Sequence, residues 1–182
     1  MHFVLWDTRK LDVSKDFAGG FGVGQYPGGG GFRGRLIRAG YKRDYRPVAL
    51  NFAYLGAILK QLGHTVEYAL DEIPSGADVY VFNPSLITLA LERATRAEVI
   101  SRNPRARVLV IGLVGYALPE TFAELQNVTV IRGEAEQLLW KLDEVLSTDQ
   151  PSIDVGSVRD LDALPYPDWS LFDYRKFRIA YD

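Results

Sequence analysis

The chain has no cysteine, and this absence removes several kinds of site from its 182 residues. Disulfides, thiolate metal sites and iron–sulfur ligation all need cysteine side chains, so none of them can be built from these residues. Histidine is almost as scarce, because His2 and His64 are the only two. A histidine-rich metal site is therefore excluded, and neither histidine has a convincing setting for serine-histidine-acid catalysis. We find no catalytic motif in the chain.

The sequence also lacks a long apolar run and a strong charge imbalance. No segment approaches the roughly 20 apolar residues that span a bilayer, and the start of the chain does not have the pattern of a signal peptide. Lys and Arg total 21 against 23 Asp and Glu, a net charge of −2. The basic residues within 33–46 do not indicate a nucleic-acid footprint; they could contact an anion locally, but a solvated loop is the simpler interpretation. We expect a cytoplasmic protein that binds neither membranes nor nucleic acids.

What the sequence does contain is an alternation of strand-like and helix-like segments. Its 47% hydrophobic and 24% charged residues are typical of a globular protein. Short runs rich in β-branched residues predict strands, and apolar residues at helical spacing predict helices. The predicted strands are 2–7, 65–69, 79–83, 107–112 and 129–131, and the predicted helices are 48–62, 89–102, 120–125 and 135–146.

This alternation predicts an α/β fold: a Rossmann-like, doubly wound, parallel sheet of five strands in the flavodoxin-like order 2-1-3-4-5. A ligand is expected at the carboxyl ends of the strands, over the switch point between the first and third. Residues 1–147 are predicted to form this domain. Residues 148–182 are predicted to form an ordered strap, because Pro151, Pro165 and Pro167 disfavour regular structure while the segment is too apolar for a free linker.

One predicted connection is unusually long. About forty residues separate Asp7 from Val48, where a compact α/β unit uses only a few. This loop contains many glycines, including Gly28 to Gly31, with aromatic residues between them. Two interpretations of this loop remain open: a functional lid and a disordered insert. A nucleotide P-loop is not supported, because no Gly-Lys-Ser or Gly-Lys-Thr follows the glycines.

Five segments occur in a familiar order along the chain. They are residues 49–67, 77–82, 108–115, 131–136 and 160–169. Together they resemble the N-terminal cobalamin-binding domain of cobalamin-dependent radical S-adenosylmethionine enzymes. The most specific part is Gly133-Glu134 followed by Leu164-Pro165-Tyr166-Pro167. In that family the Leu-Pro-x-Pro segment leads into a barrel domain that holds a 4Fe-4S cluster and binds S-adenosylmethionine, so both would belong to a missing downstream domain.

The resemblance implies a module that binds and positions cobalamin for methyl transfer or related radical chemistry, as part of a methyltransferase-like enzyme. Its partners would be cobalamin and a radical S-adenosylmethionine domain, in cis or in trans. A stand-alone cobalamin carrier or sensor is an alternative. A receiver-like or flavodoxin-like regulatory domain is another, although Asp7 alone does not supply the carboxylate cluster and lysine that a receiver needs.

The resemblance also implies a set of cofactor-binding residues at the strand ends. The Ser-x-Leu pattern of the synthase-type domains falls near Ser85, which would substitute by an offset of one residue; Ser85 or Thr88 could also cap the next helix. Glu134 would accept a hydrogen bond from the cofactor, or would place favourable charge at a helix N-terminus. The implied set is Asn83, Ser85, Leu86, Thr88, Gly112, Leu113, Val114, Gly115, Tyr116, Gly133 and Glu134.

The lower cobalt ligand is where the sequence departs from the methionine synthase type. That type carries Asp-x-His-x-x-Gly after the first strand, whereas this chain has Asp7-Thr8-Arg9-Lys10-Leu11-Asp12. Arginine stays protonated and cannot act as the ligand. His2 and His64 are predicted at the amino end of the sheet. Bound cobalamin is therefore expected to have no imidazole ligand from the protein.

Overall fold

The computed structural model describes residues 1–8, 48–70, 75–86, 89–123 and 125–176. A six-stranded, all-parallel sheet runs through them in the order β2-β1-β3-β4-β5-β6. Its strands are β1 (His2–Asp7), β2 (Thr65–Leu70), β3 (Val79–Phe82), β4 (Arg107–Val110), β5 (Val128–Gly133) and β6 (Ser152–Gly156). The helices are α1 (Leu50–Gln61), α2 (Leu89–Arg102), α3 (Gly112–Ala117), α4 (Glu120–Ala123) and α5 (Leu138–Ser147). The predicted fold class and the order of the first five strands are confirmed.

Apolar side chains cover both faces of the sheet, as a parallel sheet with helices on each side requires. One cluster joins Phe3 and Leu5 of β1 to side chains of α1 and α5. The other joins Val4 and Trp6 of the same strand to side chains of α2, α3 and α4. Because successive side chains of a strand point to opposite faces, this alternation places two helices on one side and three on the other.

The sixth strand lies where the sequence predicted an ordered strap without regular secondary structure. Residues 152–156 add β6 beside β5, with Val130 opposite Ser152 and Ile131 opposite Ile153. Pro151 stands just before the strand, where its missing N–H is harmless, and its carbonyl accepts a hydrogen bond of 2.8 Å from the Val130 N–H. Only one side chain of β6, Val155, is buried in the core, so its hydrophobic pattern is weak.

The helix α1 ends where the sequence predicted. Gly63 takes a φ of +83°, and the N–H of His64 donates to the Leu59 carbonyl at 3.0 Å. A glycine in this left-handed conformation is a common helix terminator, because other residues are strained there. The predicted glycine-rich loop lies outside the described residues. No helix within the described ranges is long and apolar enough to cross a membrane.

The segment after β6 packs against α1. The Asp168 N–H donates to the Ala53 carbonyl at 2.9 Å, and the Asp168 carboxylate accepts a hydrogen bond of 2.5 Å from Lys60 Nζ. Leu171 lies so close to Gly56 that a Cβ at that position would overlap its side chain. From here on, the name strap is kept for residues 157–176, the part of the predicted strap that follows β6. These contacts hold it against the α1 face of the sheet.

Candidate functional site

The candidate site is at the carboxyl edge of the sheet, where β1 and β3 lead into connections on opposite faces. Such a switch point leaves a crevice in open α/β sheets. Asp7 ends β1 with no exposed surface, and Asn83 follows β3 and is almost as deeply buried. Polar side chains at the ends of otherwise apolar strands indicate a site for a ligand at this edge.

Hydrogen bonds connect the polar groups of the crevice to one another. Thr8 Oγ1 donates to Glu92 Oε1 at 2.5 Å, and the Ser85 N–H donates to Glu92 Oε2 at 2.8 Å. Glu92 lies in the first turn of α2 and is buried. Its carboxylate therefore links the ends of β1 and β3. Glu92 was not predicted from the sequence, because nothing in a helical pattern reveals that one glutamate faces inwards.

Each glycine predicted to admit the cofactor already has another part of the fold packed against it. A Cβ at Gly112, whose φ is +84°, would overlap the side-chain amide of Asn83. A Cβ at Gly115 would lie 3.2 Å from Val110 Cγ1 and 3.3 Å from Val130 Cγ1, so this glycine lets α3 pack closely on the sheet. Packing within the fold therefore explains why glycine stands at both positions.

Gly133 has a similar explanation at the end of β5. Its φ is +103°, and a Cβ there would overlap the backbone oxygen of Gly156. Glu134, the next residue, donates its N–H to that oxygen at 2.9 Å and accepts a hydrogen bond of 2.6 Å from the Val158 N–H. Both residues thus hold the start of the strap. Glu134 makes no side-chain cap to the short 3-10 helix that follows it.

Two buried side-chain atoms in the described part of the chain have no hydrogen-bond partner. They are the Ser85 hydroxyl oxygen and Nε of Arg132, and both residues belong to the carboxyl edge of the sheet. Buried polar atoms are normally satisfied, so an unsatisfied one calls for a specific explanation such as a ligand. The Ser85 hydroxyl therefore does not cap α2, contrary to one interpretation of its sequence.

The helix α3 presents both buried and exposed positions beside this edge. Val114 and Gly115 are buried against the sheet, whereas Leu113 and Tyr116 are more than half exposed. The two exposed side chains are three residues apart and so lie on one side of the helix. They form exposed apolar surface on the helix that follows the carboxyl end of β4.

Both histidines lie at the opposite, amino edge of the sheet, as the sequence predicted. His64 Nδ1 is 3.5 Å from the N-terminal amine, and His2 Nε2 is 3.4 Å from a Glu67 carboxylate oxygen. Burial, with a further effect from the positive N-terminus, lowers the pKa of His64. The described residues contain no cluster of three or more His, Cys, Asp or Glu side chains that could hold a metal ion.

A polar groove of about 510 Å³ also opens at the amino edge, away from the crevice. Its lining includes Arg105 and Arg107. The Arg107 guanidinium donates to the carbonyls of Leu146 and Thr148 and so ties β4 to the end of α5. We assign this groove a structural role, because the ligand edge of a doubly wound sheet is the carboxyl edge.

Part of this chain is similar in sequence to a known protein. The chain is 31% identical over 87 residues to the threonylcarbamoyladenosine tRNA methylthiotransferase MtaB of Aquifex aeolicus (strain VF5). The match covers 45% of this chain and 21% of that protein, so the chain spans about a fifth of the length of this relative. No protein-family profile and no solved structure matches the chain. The likeness is distant and partial, and it assigns no family.

The structure brings part of the predicted site together. Asn83 and Gly112 are in contact across the ends of β3 and β4, and Ser85 follows directly in the same crevice. Leu86 is exposed beside them, while Thr88 lies outside the described residues. Arg132 was not among the predicted site residues, although a charged residue before Gly133-Glu134 at the end of an apolar strand is a signal visible in the sequence.

Proposed function

We propose that this chain is the cofactor-binding module of a cobalamin-dependent radical S-adenosylmethionine enzyme, and that cobalamin binds at the carboxyl edge of its sheet. The observation that carries the proposal is the buried Ser85 hydroxyl, which has no hydrogen-bond partner at the switch point. The partial similarity to a methylthiotransferase, itself a radical S-adenosylmethionine enzyme, supports the enzyme class. The motif order from Ala49 to Trp169 supports the choice of cofactor.

The residues of the crevice fit such a ligand in some respects and limit it in others. The Ser85 hydroxyl and the Arg132 guanidinium are polar groups that a ligand could satisfy. Leu113 and Tyr116 supply exposed apolar surface for a large ring. Gly133 is not available for close approach of a cofactor, because the backbone of Gly156 already fills the space beside it. The cofactor would therefore contact the β3, β4 and α3 side of the edge.

This chain would supply binding and orientation. Cobalamin, when bound, would supply methyl-carrying or radical chemistry. The hydrogen bonds from Thr8 and the Ser85 N–H to Glu92 would fix the ends of β1 and β3 beneath it, and the bond from Tyr68 would orient Asp7. Both histidines are at the amino edge, so we propose that the cofactor has no imidazole ligand from this chain. A carrier without an attached enzyme domain would use the same site.

The direct test is binding of hydroxocobalamin to the purified chain. We expect the coloured cofactor to elute with the protein in gel filtration at a ratio near one to one. Ser85→Ala should weaken binding about fivefold, because one hydrogen bond to a buried hydroxyl contributes about 1 kcal/mol. Ser147→Ala, at the end of α5, is the matched control and should bind normally. Absence of cofactor from the wild-type protein peak would refute the proposal.

The ligation state has its own test in electron paramagnetic resonance of the cobalt(II) form. We expect no nitrogen splitting from a protein imidazole when cobinamide, which lacks the benzimidazole base, is bound to the chain. Splitting that vanishes in a His2→Ala or His64→Ala variant would show that a histidine reaches cobalt. That result would refute the proposal that bound cobalamin has no imidazole ligand from this chain.

A further inference from the structure

The side chain of Arg132 points toward the α3 side of the carboxyl edge. Val128 and Val130 of β5 both pack in the cluster beneath α3 and α4. Arg132 is two residues beyond Val130, and side chains at this spacing share one face of a strand. Since Gly115 of α3 lies directly over Val130, Arg132 projects beside α3 where the strand ends.

The Arg132 guanidinium forms no ion pair among the described residues. Its Nε is buried and without a hydrogen-bond partner, and the residue takes part in no ion pair. Two neighbouring carboxylates accept hydrogen bonds from backbone groups. Asp154 accepts one of 2.9 Å from the Gly156 N–H, and Glu134 accepts one of 2.6 Å from the Val158 N–H. Asp154 is also the register partner of Arg132 on β6, yet neither carboxylate forms an ion pair with the guanidinium.

The buried Nε of Arg132 is a donor without a partner, and a buried donor left unsatisfied is unfavourable. Arginine stays charged at any physiological pH, and partial burial of an unpaired charge is unfavourable. The strand register also shifts between Arg132 and Gly133, and such irregularities are frequent beside functional sites because they redirect a side chain. The arrangement is explained if a bound anion provides the missing partner.

We infer that Arg132 is an anion-binding residue that takes a phosphate group carried by a ligand with an apolar body. A guanidinium binds phosphate oxygens through paired hydrogen bonds, and this geometry favours arginine over lysine. The exposed Leu113 and Tyr116 provide the apolar surface on the same side of the sheet. Two sources of this chemistry are the phosphodiester of the cobalamin nucleotide and a separate phosphate ester. The first source rests on the proposed function, and the second does not.

The first experiment compares two corrinoids that differ in the phosphate. Hydroxocobalamin contains the nucleotide phosphodiester, and cobinamide lacks the whole nucleotide. If Arg132 binds this phosphodiester, Arg132→Met should weaken hydroxocobalamin binding about 10- to 100-fold, as expected for a charge-assisted hydrogen-bonding pair. It should leave cobinamide binding unchanged. Arg132→Lys should recover part of the loss, and Arg105→Met, an exposed arginine at the amino edge, is the charge-matched control.

The second experiment separates this residue's role from the choice of cofactor. Thermal unfolding is measured in inorganic phosphate and in chloride at equal ionic strength. Phosphate should raise Tm in the wild type and in Arg105→Met but not in Arg132→Met if the residue binds any phosphate. If the wild type binds neither corrinoid, the proposed function fails, and this phosphate dependence alone decides the role of Arg132. If neither phosphate nor hydroxocobalamin distinguishes Arg132→Met from the wild type, the inference is wrong.

The stability of the ligand-free variant gives an independent readout. Because the guanidinium has no protein partner to lose, Arg132→Met should unfold in chloride at the same Tm as the wild type or at a higher one. A marked fall in Tm, or failure of the variant to fold, would identify Arg132 as a structural residue and overturn the inference. Arg132→Gln, which is polar and uncharged, should behave like the methionine variant if charge is what matters.

Discussion

The Tyr68 hydroxyl donates a hydrogen bond of 2.6 Å to Oδ2 of Asp7, a carboxylate with no exposed surface at the switch point. The ring of Tyr68 also packs on Phe172 of the strap, with 4.6 Å between ring centroids. One side chain thus contacts both the crevice and the strap. Docking of the strap therefore helps to fix the orientation of a polar group at the ligand edge.

Tyr68→Phe should lower the free energy of unfolding by about 1–3 kcal/mol, because a buried carboxylate loses one of its donors. Urea denaturation followed by circular dichroism measures this change. Tyr166→Phe, whose hydroxyl is almost fully exposed on the strap, is the matched control and should have little effect. Equal stability of Tyr68→Phe and the control would mean that this hydrogen bond contributes nothing.

The strap should loosen as acid neutralises Asp168. Burial alone would raise the pKa of Asp168, but hydrogen bonds from Lys60 and Ser170 outweigh it and lower the pKa below its ordinary value of 3.8. A lowered pKa in the folded state contributes stability above about pH 3.8, and this contribution is lost as the pH falls through the lower folded value.

Asp168→Asn tests this pH dependence. At pH 7 the variant should be less stable by up to about 1 kcal/mol, since the ion pair is partly exposed. The difference should shrink to nothing in strong acid, where the wild type is protonated too. Unfolding free energies measured from neutral to acidic pH give the answer, with Asp162→Asn as a control elsewhere on the strap. A difference that does not change with pH would contradict the assignment.

Glu136 should have the opposite pH dependence. Burial raises the pKa of Glu136 above its ordinary value of 4.5; its own backbone N–H opposes this shift, and the charge of Glu134 adds to it. Stability associated with the protonated form is complete below about pH 4.5 and is lost as the pH rises through the raised folded pKa.

Glu136→Gln should therefore stabilise the protein at pH 7 by up to about 1 kcal/mol and have little effect at low pH. The exposed Glu144→Gln on α5 serves as the matched control. Thermal unfolding at several pH values would measure both variants. If Glu136→Gln is destabilising at pH 7, burial of this carboxylate does not oppose its ionisation.

Gly133→Ala should be far more damaging than Gly76→Ala, although both glycines have a positive φ of +103° and +82°. At Gly133 the new methyl group would overlap the Gly156 backbone, whereas at Gly76 nothing lies within 4 Å. Gly76→Ala should cost about 1 kcal/mol from backbone strain alone. Gly133→Ala should cost at least about 2 kcal/mol and expose β6 to hydrogen exchange. Similar costs for the two variants would show that β6 adjusts freely.

The strands buried on both faces were predictable, because a continuous apolar run has few other folds open to it. The run from His2 to Asp7 gave the bounds of β1, and Gly63 gave the end of α1. The strand β6 was not predictable. Its ladder partner β5 lies on one side only, and its short segment after Pro151 carries a single core side chain, Val155.

The candidate site, like the fold, was predictable from the sequence only in part. The sequence determined that polar and glycine residues stand at the strand ends, and the fixed direction of parallel strands brings them to one edge. Tertiary structure decided what each one does there: Gly133 accommodates Gly156, and Glu134 holds Val158. Ser85 and Arg132 are left with polar atoms that no residue in the described ranges satisfies. Contacts of this kind depend on distances of a few tenths of an ångström between segments far apart in sequence. Local patterns of residues, which determine the helices and strands, do not contain that information.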